Sequence, residues 1–137
     1  MTLLDDNLNP LLPRHTVTWV FDPDGVKPPF AYTVGLAERP GRAYELVTVG
    51  LPGRLAHAVV TCAAEQLARD HLDPAEGLEL DEVLRGYLVR LRRAKDTTRF
   101  RGIAPTVPFW QILTPDKWGL FPGDPHYSDS ADAQPLL

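Results

Sequence analysis

A single cysteine, Cys62, stands among 137 residues. One thiol excludes an internal disulfide and a thiolate-built metal site, so the fold must rest on its packed core in a reducing compartment. No apolar run approaches the ~18 residues that span a bilayer. Residues 1–10 carry Asp5 and Asp6 where a signal peptide carries basic charge. No membrane association and a cytoplasmic location are therefore expected. An excess of cations is also missing: the formal net charge is −4, which disfavours nucleic acid as a partner because that affinity is largely phosphate neutralisation. Gly-x-Ser-x-Gly, the phosphate-binding loop and Gly-x-Gly-x-x-Gly are absent, which removes the usual signs of acyl transfer and nucleotide hydrolysis. No His/Asp/Glu motif has ligand spacing. His57 and His71 share a predicted helix, but fourteen residues at 1.5 Å rise set them about 21 Å apart. Neither a metal nor a cofactor is expected, and Cys62, without a local cation to activate it, reads as a packed thiol.

What is present is ordinary globular material, 44% apolar and 23% charged, and its length suits one domain over 1–137. Fourteen prolines and ten glycines predict many loops. Residues 1–13 read as an extended arm and 114–137 as an irregular C-terminal arm packed on the fold, since Trp118, Leu120, Phe121, Tyr127, Leu136 and Leu137 would otherwise leave an apolar tail in water. His15–Phe21 is β-branched and aromatic and stops at Asp22-Pro23-Asp24-Gly25, a strand followed by a turn. Phe30–Leu36 alternates Phe30, Tyr32, Val34 and Leu36 with Ala31, Thr33 and Gly35, a strand with one bulky and one bare face. Glu45–Leu51 is a third strand, pairing with the second as an antiparallel hairpin. From Gly53 to about Leu72 the period becomes helical, with Leu55, Ala56, Val59, Val60, Ala63 and Leu67 within an arc of about 140°. Leu78–Leu84 fits a short strand or a helical turn. Tyr87–Arg93 sets Tyr87, Val89 and Leu91 against Arg90 and Arg92, a half-exposed strand. Ala94–Pro108 reads as a long loop, uncommon without a functional reason or mobility, and Phe109–Leu113 as a buried strand. The fold class is α+β: a mostly antiparallel sheet of five or six strands with one main helix on a face and long irregular arms.

Charge is uneven. Seven of the fourteen cations fall between Arg85 and Arg101, with Asp96 the one anion there. Arg90, Arg92, Arg93, Arg99 and Arg101 are candidate partner- or anion-binding residues, weighed against use on the protein's own carboxylates.

Phe30–Leu36 (FAYTVGL), Glu45–Pro52 (ELVTVGLP), Ile112–Pro122 (ILTPDKWGLFP) and Gln134–Leu137 (QPLL) together resemble the bacterial family called domain of unknown function 4262. The resemblance covers essentially the whole chain and implies no activity. Departures from the family pattern are the segment Gly41-Arg42-Ala43-Tyr44-Glu45, where members show Gly-His-Pro-Glu, and Gly123, where they show Trp. The matching motifs carry a polar set from which Tyr32, Thr33, Glu38, Arg39, Glu45 and Asp116 are candidate ligand-binding residues. Gly35 and Gly50 on adjacent strands predict a shallow trough where a ligand or another backbone can approach. Two readings follow: a small binding or regulatory module acting through a protein partner or small ligand without covalent chemistry, and an enzyme of unknown reaction with a cleft near Tyr32, Glu38 and Arg39.

Overall fold

The computed structural model describes residues 15–130 and 133–137, so the arm expected at 1–13 lies outside the described residues. Six strands form one sheet: β1 (Thr16–Val20), β2 (Phe30–Val34), β3 (Glu45–Val49), β4 (Glu79–Leu84), β5 (Tyr87–Arg93) and β6 (Phe109–Leu113), in the order β1-β2-β3-β6-β5-β4. Pairings are antiparallel except β3 with β6, which is parallel. The architecture is α+β, with one main helix, α1 (Gly53–Arg69), on one face. No helix among the described residues is long and apolar enough to cross a membrane.

The two faces of β2 explain why there are two cores. Its bare side, Ala31 and Thr33, leaves room for α1, whose Ala56, Val59, Val60, Ala63 and Leu67 pack with Leu46, Leu80, Val89, Leu91 and Ile112 in the larger cluster. Each fully buried Val or Leu contributes roughly 1.5–3 kcal/mol. The bulky side, Phe30 and Tyr32, faces away from α1 and joins Val47, Val49 and Phe109, with Ala94 and Phe100, in a second cluster. Loop 94–108 and the C-terminal arm cover this second face. Leu55, placed by periodicity on the buried arc, is instead 42% exposed in the first turn of α1, where Ala56 is the residue buried.

Helix α1 stops short of Leu72. His71 takes φ 53, its N–H reaches Ala68 O at 3.3 Å, and Leu72 N–H reaches Leu67 O at 2.9 Å. This is a Schellman stop with histidine in the left-handed position that glycine ordinarily fills. Leu78–Leu84, ambiguous in sequence, is strand β4 from Glu79, with a register shift between Leu80 and Leu84.

Candidate functional site

The second face carries an open cleft. Phe30 and Tyr32 rise from β2, and Phe100 folds down on them with ring centroids 5.9 and 5.1 Å away, stacked 4.2 Å from Phe109. This aromatic packing holds loop 94–108 in place although it has no regular structure. The Tyr32 hydroxyl completes the anchor, donating to the Arg101 carbonyl and accepting from the Arg101 N–H, both at 3.3 Å. Arg99 and Arg101, flanking buried Phe100, are therefore exposed, and the Arg99 guanidinium lies 5.5 Å from the centre of the Phe30 ring.

Opposite this loop, the chain leaving β1 turns at Asp22. One Asp22 carboxylate oxygen accepts from Asp24 N–H at 3.0 Å, the other from Val26 at 3.2 Å and Lys27 at 3.1 Å. Those backbone bonds, with Lys27 nearby, hold the Asp22 carboxyl below its ordinary range. The turn and the loop bound an open cleft of about 490 Å³, lined by Val20, Phe21, Asp22, Lys27, Pro28, Phe30, Tyr32, Thr98, Arg99 and Arg101. Its floor is apolar and aromatic. Three cations line it against one carboxylate, and that carboxylate is bonded to its own turn.

The sequence-derived candidates divide among several places. Tyr32, Arg99 and Arg101 meet at the cleft. Thr33 and Glu45 are buried together: the Thr33 hydroxyl donates to Glu45 Oε1 at 2.7 Å and accepts from Leu46 N–H at 2.9 Å, while Leu36 and Ala37 donate N–H to the Glu45 carboxylate at 3.0 and 2.8 Å. Burial raises the Glu45 pKa against these bonds. The carboxylate thereby ties β3 to the short 3-10 turn Leu36–Glu38. Glu38 is exposed on that turn, and Arg39 is buried with Nη1 2.8 Å from His15 Nδ1. Burial, the cations of Arg39 and Arg42, and His57 lower His15 to about 4, leaving it neutral and able to accept from the guanidinium.

Asp116 organises the C-terminal turn. Its Oδ1 accepts N–H from Trp118 and Leu120, both at 2.9 Å, and Oδ2 takes the Ser128 N–H and hydroxyl at 2.8 and 3.0 Å. Desolvation by itself raises this pKa, but the four bonds outweigh it and bring it down to about 2. The turn consumes the Trp118 backbone N–H and leaves the residue 71% exposed, so Trp118 does not pack with the arm as its hydrophobicity predicts. Residues 134–137 are tied to the sheet, although Leu136, also expected to pack, is 44% exposed. The Gln134 amide accepts from Thr114 N–H at 2.7 Å and donates to Thr114 O at 2.9 Å, and the Gln111 amide does the same for Leu137 N–H (2.9 Å) and Pro135 O (2.8 Å). The close approach foreseen at Gly50 is made by this arm, whose Ala133 carbonyl lies 2.0 Å from where a Cβ would stand.

Arg90 and Arg92 are on the same face under the arm. Arg90 is 4.3 Å from the Phe121 ring centre and 3.2 Å from Glu79, and Arg92 donates to the Leu137 carbonyl. Arg93 points to the helix side, 5.7 Å from the Trp110 ring centre. Sequence reasoning missed Lys27, Phe30 and Thr98 as cleft residues; the available signal was the long loop itself, with two arginines bracketing Phe100. Cys62 is half-buried, and burial, with Glu65 nearby, pushes its thiol up, away from the nucleophilic thiolate. Among the described residues no group of three or more His, Cys, Asp or Glu is placed to hold a metal.

A family model described as a domain of unknown function (DUF4262) matches residues 13–128. No curated protein and no solved structure matches the chain.

Proposed function

Because the chain belongs to the DUF4262 family, whose description assigns no activity, we propose a function from its own geometry: a small soluble binding module that holds an aromatic anion between the Asp22 turn and loop 94–108. The observation that carries this reading is the pairing of an apolar floor, Phe30 with Tyr32, and three cations, Lys27, Arg99 and Arg101, in one cleft of about 490 Å³. That volume is in the range of small-ligand sites, which combine apolar walls with few placed polar groups. A flat ring would lie against the aromatic floor, and an anionic group would take charge-assisted bonds from the guanidinium forks, each worth roughly 1.5–3 kcal/mol when water is partly excluded. The ligand is bound without covalent chemistry. A cytoplasmic location goes with this reading, since the single Cys62 suits a reducing compartment.

The enzyme alternative required Tyr32, Glu38 and Arg39 to converge. The Tyr32 hydroxyl is engaged by Arg101 and the Arg39 guanidinium by His15, which favours the binding reading.

Two-dimensional amide NMR of the full chain, titrated separately with benzoate and with adenosine monophosphate, tests the proposal. Saturating shifts at Lys27, Phe30, Tyr32, Arg99 and Arg101 with one probe are expected, and the responding probe distinguishes a carboxylate from a phosphate ligand. Shifts elsewhere, or none with either probe, contradict it.

A further inference from the structure

The two edges of the sheet are built differently. The β4 edge carries Glu79, Asp81 and Glu82, and its pairing is irregular between Leu80 and Leu84. Acidic side chains and a bulge are the devices by which sheet edges avoid pairing with other chains. The β1 edge has neither. All five of its residues, Thr16 to Val20, pair with β2 in unbroken register, and residues 15–21 (HTVTWVF) contain no Asp, Glu, Lys, Arg, Pro or Gly. Among the described residues no strand pairs with its outer side.

This edge also gathers exposed apolar side chains. Trp19 is 41% exposed and Phe21 58%, their rings stacked at 5.1 Å, with Val20 beside them. The Trp19 ring lies 3.3 Å from the place of a Cβ on Gly53, so it is held against the start of α1. A rigid aromatic pair beside an uncharged strand edge has the composition of an interface centre, which is depleted in charge and rich in aromatic residues.

We propose that the β1 edge is a homodimer interface, in which β1 of one copy pairs antiparallel with β1 of a second about a two-fold axis at Thr18. The argument for a second copy is charge. A two-fold interface sets each residue against its own kind or a near neighbour, which costs nothing along Thr16–Val20 but would oppose like charges along β4. Centred on Thr18, the pairing sets Thr18 against Thr18, Thr16 against Val20, and Val17 against Trp19. Val17 and Trp19 share the helix-side face, so each Trp19 ring gains the partner's Val17 as cover. The edge borders the cleft through Val20 and Phe21, but the proposal does not rest on a bound ligand and its test reads oligomeric state.

Sedimentation velocity of the full chain over a concentration series is the test. The expected species is about twice the 15.2 kDa of one chain. Thr18→Lys and Thr18→Glu, which place like charges at the axis, should each sediment as a monomer, and their equimolar mixture should recover the dimer. A wild-type monomer at every concentration overturns the proposal, and so does a dimer that Thr18→Lys leaves intact. Should both variants fail to fold, hydrogen exchange on the wild type decides: the outward β1 amides become protected as concentration rises if the edge pairs, and exchange at one constant rate if it does not.

Discussion

Tyr32 and Arg101, separated by 69 residues, are joined by a reciprocal pair of hydrogen bonds: the phenol donates to the Arg101 carbonyl and accepts from its N–H, both at 3.3 Å. A buried strand residue thus fixes the backbone of an otherwise irregular loop, and with it the positions from which Arg99 and Arg101 reach the cleft. The side chains that supply charge are exposed, whereas those that position them are buried.

Tyr32→Phe keeps the ring and removes both bonds. The expected loss is about 1 kcal/mol of stability, since water can replace part of the interaction at the loop. Amide exchange should accelerate at Arg101 more than in β2, which hydrogen-exchange measurements check directly.

Asp116→Asn tests the C-terminal turn through its pH dependence. The folded pKa of about 2 is below the ordinary 3.8, so the carboxylate adds stability above 3.8 that is lost as pH falls through about 2. The variant should melt below the wild type at neutral pH, and the gap should close across that acid window. A gap independent of pH contradicts this role.

Gly50→Ala should cost more than Gly25→Ala. Both glycines have positive φ, 93° and 69°, but a Cβ at Gly25 meets nothing within 4 Å, whereas at Gly50 it meets the Ala133 carbonyl at 2.0 Å. The conformational penalty alone is roughly 1–2 kcal/mol for each; only Gly50→Ala adds displacement of the arm. Melting temperatures of the two variants, with exchange at Gln134, separate the effects.

Charge reversal of Arg90 and Arg92 to Glu should lower the melting temperature, because Arg92 holds the Leu137 carbonyl and Arg90 lies over Phe121 beside Glu79. An unchanged melt would return these two residues to the pool of free partner-binding cations.

Five of the six strands, the amphipathic helix and the two-faced character of β2 were legible in sequence because each follows from side-chain pattern over five or more residues; β4 was not, since ELDEVL fits a strand or a helical turn. The end of α1 was not: a histidine in the left-handed position leaves no compositional mark, and Pro74 directed attention three residues too far. At the site, the basic window was visible as charge, but its division was not. Whether Arg92 lies under the arm while Arg99 borders the cleft depends on where Phe100 and Leu137 dock, and these contacts span long stretches of chain. Glu45 and Thr33 drew notice as part of the polar set carried by the family-like motifs, and their mutual hydrogen bond accounts for both side chains without a ligand.

The most direct measurement of the central claim is an equilibrium fluorescence titration of the folded full chain with 8-anilinonaphthalene-1-sulfonate, an aromatic anion, beside the Arg99→Glu/Arg101→Glu variant. Both arginine side chains are exposed, and Tyr32 holds the loop through the backbone of Arg101, so the variant should keep its fold by circular dichroism. The account predicts saturable one-site binding to the wild type that weakens with added salt and at least about tenfold weaker binding to the variant, equivalent to 1.4 kcal/mol. Equal binding by the two proteins, or no saturable site on the wild type, would contradict it.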